Sequence, residues 1–408
     1  MKVAVIGAGA SGMMAAYAAA MNGNEVTVYE KNEKCGKKIY ITGKGRCNIT
    51  NDVPPQEFLQ NVVTNPKFLT GAIYSFSSDD TVAFFENNGL RVKTERGNRV
   101  FPLSDKSSDV IKCLETACRN AGVKFNFNSK IDNISIISST VSDIIVNNNR
   151  ILCDKVIVCT GGVSYPSTGS TGDGLNFAKA AGHNIIPVKP ALCGLNLKGN
   201  YFGALQGLSL KNVGLNIIYN GKVLRSLFGE MLFTHFGVSG PLILTASSII
   251  NRLELNKVKL SLDLKPALSI AQLDERILRD FSASPNKSLY AIMKGLLPAS
   301  LIDEVLRRSG LRGDKRANSV TKAERASLLT ILKNFDMLVL SLRPFDEAIV
   351  TSGGVDVKQI NPKTMESLLV KGLYFCGEVL DVDAFTGGFN LQIAFSTGFA
   401  AGNSIKPF

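Results

Sequence analysis

The sequence predicts an α/β protein built around a parallel sheet and interrupted by a β-rich segment and a helical segment. Three observations predict it. The first thirty residues read as strand, glycine turn, helix and strand. A second apolar strand, glycine turn and helix run from Leu373 to Gly402. Between these ends, after Pro187 and Pro190, the pattern turns to alternating β residues, then to helix, and returns to strands and glycine turns around Arg343-Pro344.

Lys2–Ile6 is a short run of small and β-branched residues, suited to burial on both faces of a sheet. The turn Gly7-Ala8-Gly9-Ala10-Ser11-Gly12 follows, and the Ala-rich helix Ser11–Met21 is stopped by Asn22-Gly23. Strand two, Glu25–Tyr29, ends at Glu30. A unit this short requires a right-handed crossover and a parallel sheet. In such a turn the first glycine permits the sharp strand-to-helix bend, and the second lets a pyrophosphate approach the backbone. The third lets helix and strand pack closely. The helix N-terminus offers unpaired N–H groups and partial positive charge. Glu30, eighteen residues after Gly12, suits the hydroxyls of an adenosine ribose and repels a 2′-phosphate. The unit is a dinucleotide site, with Gly7, Gly9, Ala10, Ser11, Gly12, Glu30 and Lys31 as its candidate ligands.

The C-terminal end decides between FAD and a nicotinamide dinucleotide. Leu373–Cys376 is an apolar strand that ends in Gly377-Glu378, and an acid at that place holds a ribityl chain in FAD enzymes of the glutathione-reductase type. The turn Gly387-Gly388-Phe389-Asn390 then opens a helix from Leu391, whose N-terminus would face the flavin N1/C2=O edge. A nicotinamide dehydrogenase has no need of this final unit. Val156–Val158 runs into Cys159-Thr160-Gly161-Gly162, a strand and Thr-Gly turn that return the chain under the cofactor. Ile131 is placed where a backbone amide meets adenine. The fold expected is therefore a glutathione-reductase-like FAD-binding Rossmann domain with inserted β-barrel-like and helical modules. The domain spans 1–190 and 343–408, with the barrel-like insert at 191–265 and the helical insert at 266–342.

Within this frame, residues 31–51 read as a basic loop of little periodicity, and 56–90 and 109–120 read as helical. Residues 123–146 read as a strand meander. Asn220-Gly221 marks a hairpin. Residues 270–335 read as helix punctuated by Pro285 and Pro298.

Composition narrows the function classes. Hydrophobic residues make up 45% and charged residues 20% of the 408, an ordinary globular balance. No apolar run reaches the roughly 18–20 residues of a membrane span. Met1-Lys2 leads directly into the first strand without the order of a signal peptide, so a cytoplasmic location is expected. Eight cysteines without a CxxC pair and two histidines, His183 and His235, argue for reduced thiols and against a histidine-built metal site. The net charge is +12; from Arg252 to Lys333 there are 16 Lys/Arg against 9 Asp/Glu, a net of +7. A basic surface can meet nucleic acid or an anionic metabolite, or merely aid solubility.

Several longer strings carry a family resemblance: Lys37–Asn51 (KKIYITGKGRCNITN), Gly161–Gly174 (GGVSYPSTGSTGDG), Leu232–Pro241 (LFTHFGVSGP), Thr351–Val355 (TSGGV) and Gly377–Asp383 (GEVLDVD) through Gln392. On these the chain resembles the BaiN/YhiN-type flavoproteins, described as NAD(P)/FAD-dependent or aminoacetone-oxidase-like. The resemblance implies an FAD domain interrupted by a barrel and a helical module. It also implies that the Lys38–Asn48 loop lies along the cofactor, so Lys38, Thr42, Gly43, Gly45, Arg46, Cys47 and Asn48 join its candidate ligands. Arg46 and Lys38 would neutralise pyrophosphate. At the far end, Gly377, Glu378, Asp383, Gly388, Phe389, Asn390 and Leu391 are the flavin-side candidates, with Thr160, Gly161 and Gly162 beneath. Cys35 and Cys47, twelve apart on an irregular loop, lack the arrangement of a flavin–disulfide relay.

His235 is the only histidine within these strings and is the candidate catalytic acid or base; its alternative is a hydrogen-bonded structural role at a junction between barrel and domain. The function expected is an FAD-dependent oxidoreductase on a small-molecule substrate, either reducing an activated C=C bond at the expense of NAD(P)H or oxidising a small amine or amino-ketone. No second GxGxxG follows a strand, so NAD(P)H would dock transiently. The alternatives are an RNA-associated flavoprotein similar to tRNA-modifying enzymes and a non-catalytic FAD-binding protein. Neither a membrane nor a nucleic acid is the expected partner, and oligomeric state is left open.

Overall fold

A computed structural model describes residues 1–406 as two compact units. One holds Met1–Ala191 together with the chain from Pro344, and the other is Leu192–Arg343.

The first unit is built on a five-stranded parallel sheet. Its strands are β1 (Lys2–Ile6), β2 (Glu25–Tyr29), β3 (Lys124–Asn126), β4 (Lys155–Val158) and β5 (Leu373–Phe375), in the spatial order β5–β4–β1–β2–β3. Val5 lies opposite Val28 on one side and Ile157 on the other, and Ile157 lies opposite Tyr374. The last strand therefore completes the sheet that the first one begins. Val5, Val28, Ile157, Val158 and Phe375 are fully buried, as continuous apolar strands must be when both faces are covered.

Helix α1 (Ala10–Met21) is apolar on every side, which marks a helix enclosed on more than one face. On one flank the helix Ser107–Asn120 approaches closely enough for the Cys118 thiol to donate to the Met13 carbonyl at 3.1 Å. On another lies the C-terminal helix Phe389–Ser404. Its glycines make that contact possible. A Cβ on Gly398 would stand 2.4 Å from the Ser11 carbonyl oxygen, and one on Gly402 would stand 2.2 Å from that of Ala15. The two ends of the chain are thus packed backbone to backbone.

Local structure departs from the sequence expectation in places. The span 56–90 is three short helices, Pro55–Gln60, Pro66–Ser75 and Ser78–Asn87, with the strand Val62–Thr64 among them. Pro66 starts the second helix and a Ser77–Asp80 capping box starts the third. The expected meander loses its first strand to the parallel sheet as β3. The antiparallel part is Ile131–Ile137, Thr140–Val146 and Asn149–Leu152. The basic loop contains a short helix, Lys37–Ile41, and a tight turn over Thr42–Gly45.

The second unit contains a closed six-stranded barrel, formed in spatial order by Leu195–Leu197, Gly237–Ser239, Lys222–Thr234, Ser209–Tyr219, Val258–Asp263 and Phe335–Leu342. Four helices, Ile270–Ala283, Leu289–Met293, Ala299–Arg308 and Lys322–Lys333, share one apolar core with it. The closing strand Phe335–Leu342 falls in the segment expected to be helical. Phe335, Met337 and Val339 alternate inward, but Leu338 and Leu340 on the outer face are also apolar and hide the period of two. Pro241–Ile250, expected as strand, is a helix. Among the described residues no helix is long and apolar enough to cross a membrane.

On an open helix face alanine is favoured over glycine by about 1 kcal/mol. At Gly398 the methyl group meets backbone, and such overpacking costs roughly 1–3 kcal/mol. Gly398→Ala should therefore lower the urea midpoint of the chain. A stabilised variant would show that the two helices do not approach this closely.

Candidate functional site

The C-terminal ends of β1, β2, β4 and β5 lead into the glycine turns and acids singled out in the sequence. Gly7 has φ +102°, and a Cβ there would stand 2.6 Å from the Cys159 carbonyl oxygen. A Cβ on Gly12 would stand 1.9 Å from the Gly7 oxygen. Both glycines are consumed by packing. Gly9 differs, because nothing lies within 4 Å of its Cβ position. The first turn of α1, Ala10-Ser11-Gly12, has no side-chain cap, so its N–H groups present an uncompensated positive end.

Glu30 is buried and ties this turn to the end of β2. Its carboxylate accepts from Ala8 N–H at 2.8 Å and from the Asn32 backbone and side-chain amides at 2.8 and 2.7 Å. Ser129 N–H donates to the Glu30 carbonyl at 2.9 Å, which draws the start of the Ile131–Ile137 strand, and so Ile131, to the same end of the sheet. Lys31 turns to Asp173 at 2.7 Å and Thr171 at 2.5 Å.

The loop from Gly36 to Asn51 departs from expectation in its charges. Arg46 pairs with Glu95 and Asp105 at 2.5 and 2.6 Å and stacks 4.2 Å over the Phe101 ring. Lys38 pairs with Glu378 at 2.7 Å. Neither cation expected to neutralise a pyrophosphate is free; each already faces a carboxylate. Cys47 is fully buried with φ +59°, and burial pushes its thiol up to about 12, as it does that of Cys35. A thiol so protonated is a poor nucleophile. Thr42 closes its own turn, donating to Ile39 O and accepting Cys47 N–H on its carbonyl. Gly43 is held close to the Asn48 amide, whereas Gly45 opens to free space. The Asn48 side-chain oxygen is buried with no partner among the described residues, an acceptor that a ligand donor could satisfy.

At β4 and β5 the turns interlock. Thr160 lies against Gly174, and Gly161 against Ser170. Gly162 lies against Thr351 and within reach of Glu378. Gly377 touches the Ser11 side chain and donates its N–H to Thr397 Oγ1 at 3.0 Å. In the final turn, the side chains of several expected ligands are engaged in structure. Phe389 packs edge-on against Phe58, and Asn390 bonds both backbone groups of Ala384. Asp383 accepts from Ser352 Oγ at 3.0 Å. Gly388 sits on the Thr50 backbone and starts the C-terminal helix without a side-chain cap, which leaves the Phe389, Asn390 and Leu391 N–H groups at a second positive end.

Sequence reasoning assigned no role to Thr50, Asn51, Ser164, Thr351 or Gln392, which hold this end together. Thr50 Oγ1 meets Gln392 Oε1 at 2.6 Å, Gln392 donates to the Phe76 and Ser77 carbonyls, and Asn51 donates to Gly387 O. All five lie within strings that carry the family resemblance, but a single sequence does not distinguish a polar residue that clamps loops from one that contacts a ligand. His235 belongs to the second unit. It is exposed, edge-on to Phe236 at 5.1 Å, and makes no hydrogen bond among the described residues, so the hydrogen-bonded structural role is not seen.

The sequence model of the HI0933-like protein Rossmann domain matches residues 1–404. The chain belongs to the HI0933-like family. Its fold is the Rossmann-type FAD-binding fold, with a small closed barrel in the other unit. Several curated relatives match along nearly their whole length. The 3-dehydro-bile acid delta(4,6)-reductase of Clostridium scindens is 32% identical over 407 residues, covering 99% of this chain and 98% of its own. The ribosomal RNA dihydrouridine synthase of Haemophilus influenzae is 31% identical over 408 residues, covering 98% of each. Among solved structures, the 3-ketosteroid-delta4-(5alpha)-dehydrogenase of Rhodococcus jostii superposes with a TM-score of 0.52 at 13% identity, covering 98% of this chain and 96% of its own. A flavocytochrome c3 fumarate reductase gives 0.51 at 17%, covering 98% and 77%. At these identities the two structures bear on the fold alone.

The turn glycines separate by stability. Gly12→Ala forces a methyl into the Gly7 carbonyl and should cost roughly 1–3 kcal/mol or more by denaturant unfolding. Gly9→Ala meets open space at an ordinary φ of −83° and should be neutral or stabilising by about 0.4–1 kcal/mol. Equal losses at both positions would contradict the packing described.

Proposed function

We propose that the chain binds FAD across the ends of β1, β2, β4 and β5 and reduces a carbon–carbon double bond conjugated to a carbonyl group. The observation that carries this reading is chemical. The names of two full-length relatives, a 3-oxo bile acid Δ4,6-reductase and a dihydrouridine synthase, describe one step, the saturation of a ring C=C conjugated to C=O, on unrelated substrates.

The residues present fit FAD. The open space at Gly9 and the uncapped start of α1 suit the pyrophosphate, and Glu30 suits the adenosine ribose. Ile131, on the strand drawn to Glu30, suits the adenine. Glu378 suits the ribityl chain, and the uncapped helix at Phe389 supports the flavin edge that gains negative charge on reduction. Gly45 and the unpartnered Asn48 oxygen offer backbone room and an acceptor along the same path. When bound, FAD would supply hydride-transfer chemistry. Saturating the conjugated bond also needs a proton at the carbon α to the carbonyl, and His235 is our candidate for holding it.

His235→Gln should retain the yellow cofactor and lower turnover by about 10²–10⁴-fold if the imidazole is that acid; undiminished turnover removes it from the mechanism. The reductant we propose is NADH or NADPH, docking transiently because the chain has one dinucleotide turn. Anaerobic mixing of the FAD-loaded protein with each nicotinamide should bleach the flavin band with at least one of them. Persistence of the oxidised spectrum with both would sink the reductase reading in favour of amine oxidation or a non-catalytic FAD protein.

A second reading, in which the double bond belongs to a base in RNA, is favoured by the dihydrouridine synthase name and the +12 charge. Against it, at least nine of the 16 cations from Arg252 to Lys333, among them Arg308, Arg325 and Lys333, already sit in ion pairs among the described residues. An RNA substrate predicts retention on a filter that falls steeply with salt; a small conjugated ketone as substrate predicts no retention and salt-insensitive turnover.

A further inference from the structure

The polar cluster around Glu378 is asymmetric. Its Oε1 accepts three protein donors: Lys38 Nζ at 3.0 Å, Ser164 Oγ at 2.8 Å and Thr351 N–H at 2.7 Å. Among the described residues its Oε2 accepts from Lys38 alone, at 2.7 Å. A carboxylate has about four acceptor positions, two on each oxygen. Oε1 is therefore filled, and Oε2 keeps one position open. Lys38 is also fixed from its other side by Ser164 Oγ at 2.6 Å. Thr351 stabilises the loop that carries Ser164, because its hydroxyl oxygen accepts Val163 and Ser164 N–H at 2.9 and 3.1 Å. Ser164 and Thr351 are fully buried, whereas Lys38 and Glu378 keep about a fifth of their side-chain surface open, at 23% and 20%.

We infer that Lys38, Ser164 and Thr351 are positioning residues that neutralise Glu378 and turn it so that Oε2 alone receives a hydroxyl of the cofactor's ribityl chain. Lys38 then serves as counter-ion to a carboxylate and not as a phosphate ligand. The geometry explains how an acid can stand beside an electron-rich cofactor without adding net charge. Four segments far apart in sequence, at residues 38, 162–164, 351 and 378, are brought to one carboxylate. A surface ion pair has no such convergence. The inference rests on the FAD reading above and goes beyond it by assigning roles within the site.

The test is FAD affinity of the full-length apoprotein, followed by quenching of FAD fluorescence, with circular dichroism melting as the check on folding. Lys38→Met and Glu378→Gln should each weaken binding by about tenfold, and the double variant should bind no worse than the weaker single, since partners in one interaction are not additive. Lys38→Arg should recover affinity to within about threefold of the natural chain, because it restores the charge. Ser164→Ala should weaken binding several-fold alone and have no effect in the Glu378→Gln background, which keeps the test alive if Lys38→Met does not fold. Lys38→Met or Ser164→Ala binding like the natural chain, or losses that add in the double variants, would overturn the assignment. Failure of the natural apoprotein to take up FAD would instead overturn the proposed function itself.

Discussion

Close contact between α1 and the C-terminal helix sets the terms for everything else in the first unit. Two carbonyl oxygens, of Ser11 and Ala15, stand 2.4 and 2.2 Å from where Cβ atoms of Gly398 and Gly402 would be, so the helices meet through their backbones. This contact fixes where the N-terminus of each helix opens. It also places Gly377 against Ser11, and with it the turn that carries Glu378. A larger residue at the interface would move one uncapped helix end relative to the other, and a ligand long enough to touch both would lose one of them.

Charge is arranged on the same principle of fixed pairs. The basic loop from Lys31 to Asn51 looks in sequence like a set of free cations awaiting phosphate, yet Lys31, Lys38 and Arg46 each face a carboxylate. Beside the exposed Lys34 and Lys44, what the fold offers an anion is backbone: the first-turn amides of α1 and the space over Gly9. Backbone donors are already ordered by the helix, so their orientation costs no side-chain entropy when a ligand arrives.

The βαβ unit was legible in full because its signals are local. Glycine spacing, an alanine-rich helix and a terminal acid lie within thirty residues, and the structure places Glu30 on the glycine turn through Ala8. The joining of the two chain ends was legible from the repeated strand–turn–helix pattern. The closing barrel strand was hidden by apolar residues on its outer face, and β3 by its brevity. Lys38 and Arg46 were legible as important cations, but their partners Glu378, Glu95 and Asp105 are 49 or more residues away. No spacing rule links such pairs, and without them a cation reads as free. Asn390 and Phe389 show the opposite case: their place next to a positive helix end is as expected, while their side chains hold the turn itself.

The order of assembly follows from the discontinuity of the first unit. Leu192–Arg343 is synthesised before β5, and this middle segment has its own barrel and apolar core. At about 5–20 residues per second, the interval between Ala191 and the C-terminal helix lasts on the order of tens of seconds. Throughout it β4 has an open edge where β5 will pair, and the glycine-contacted face of α1 is uncovered. The nascent chain therefore carries an unfinished sheet until Leu373–Phe375 is made, and the first unit is the part that needs protection until the C-terminal helix emerges.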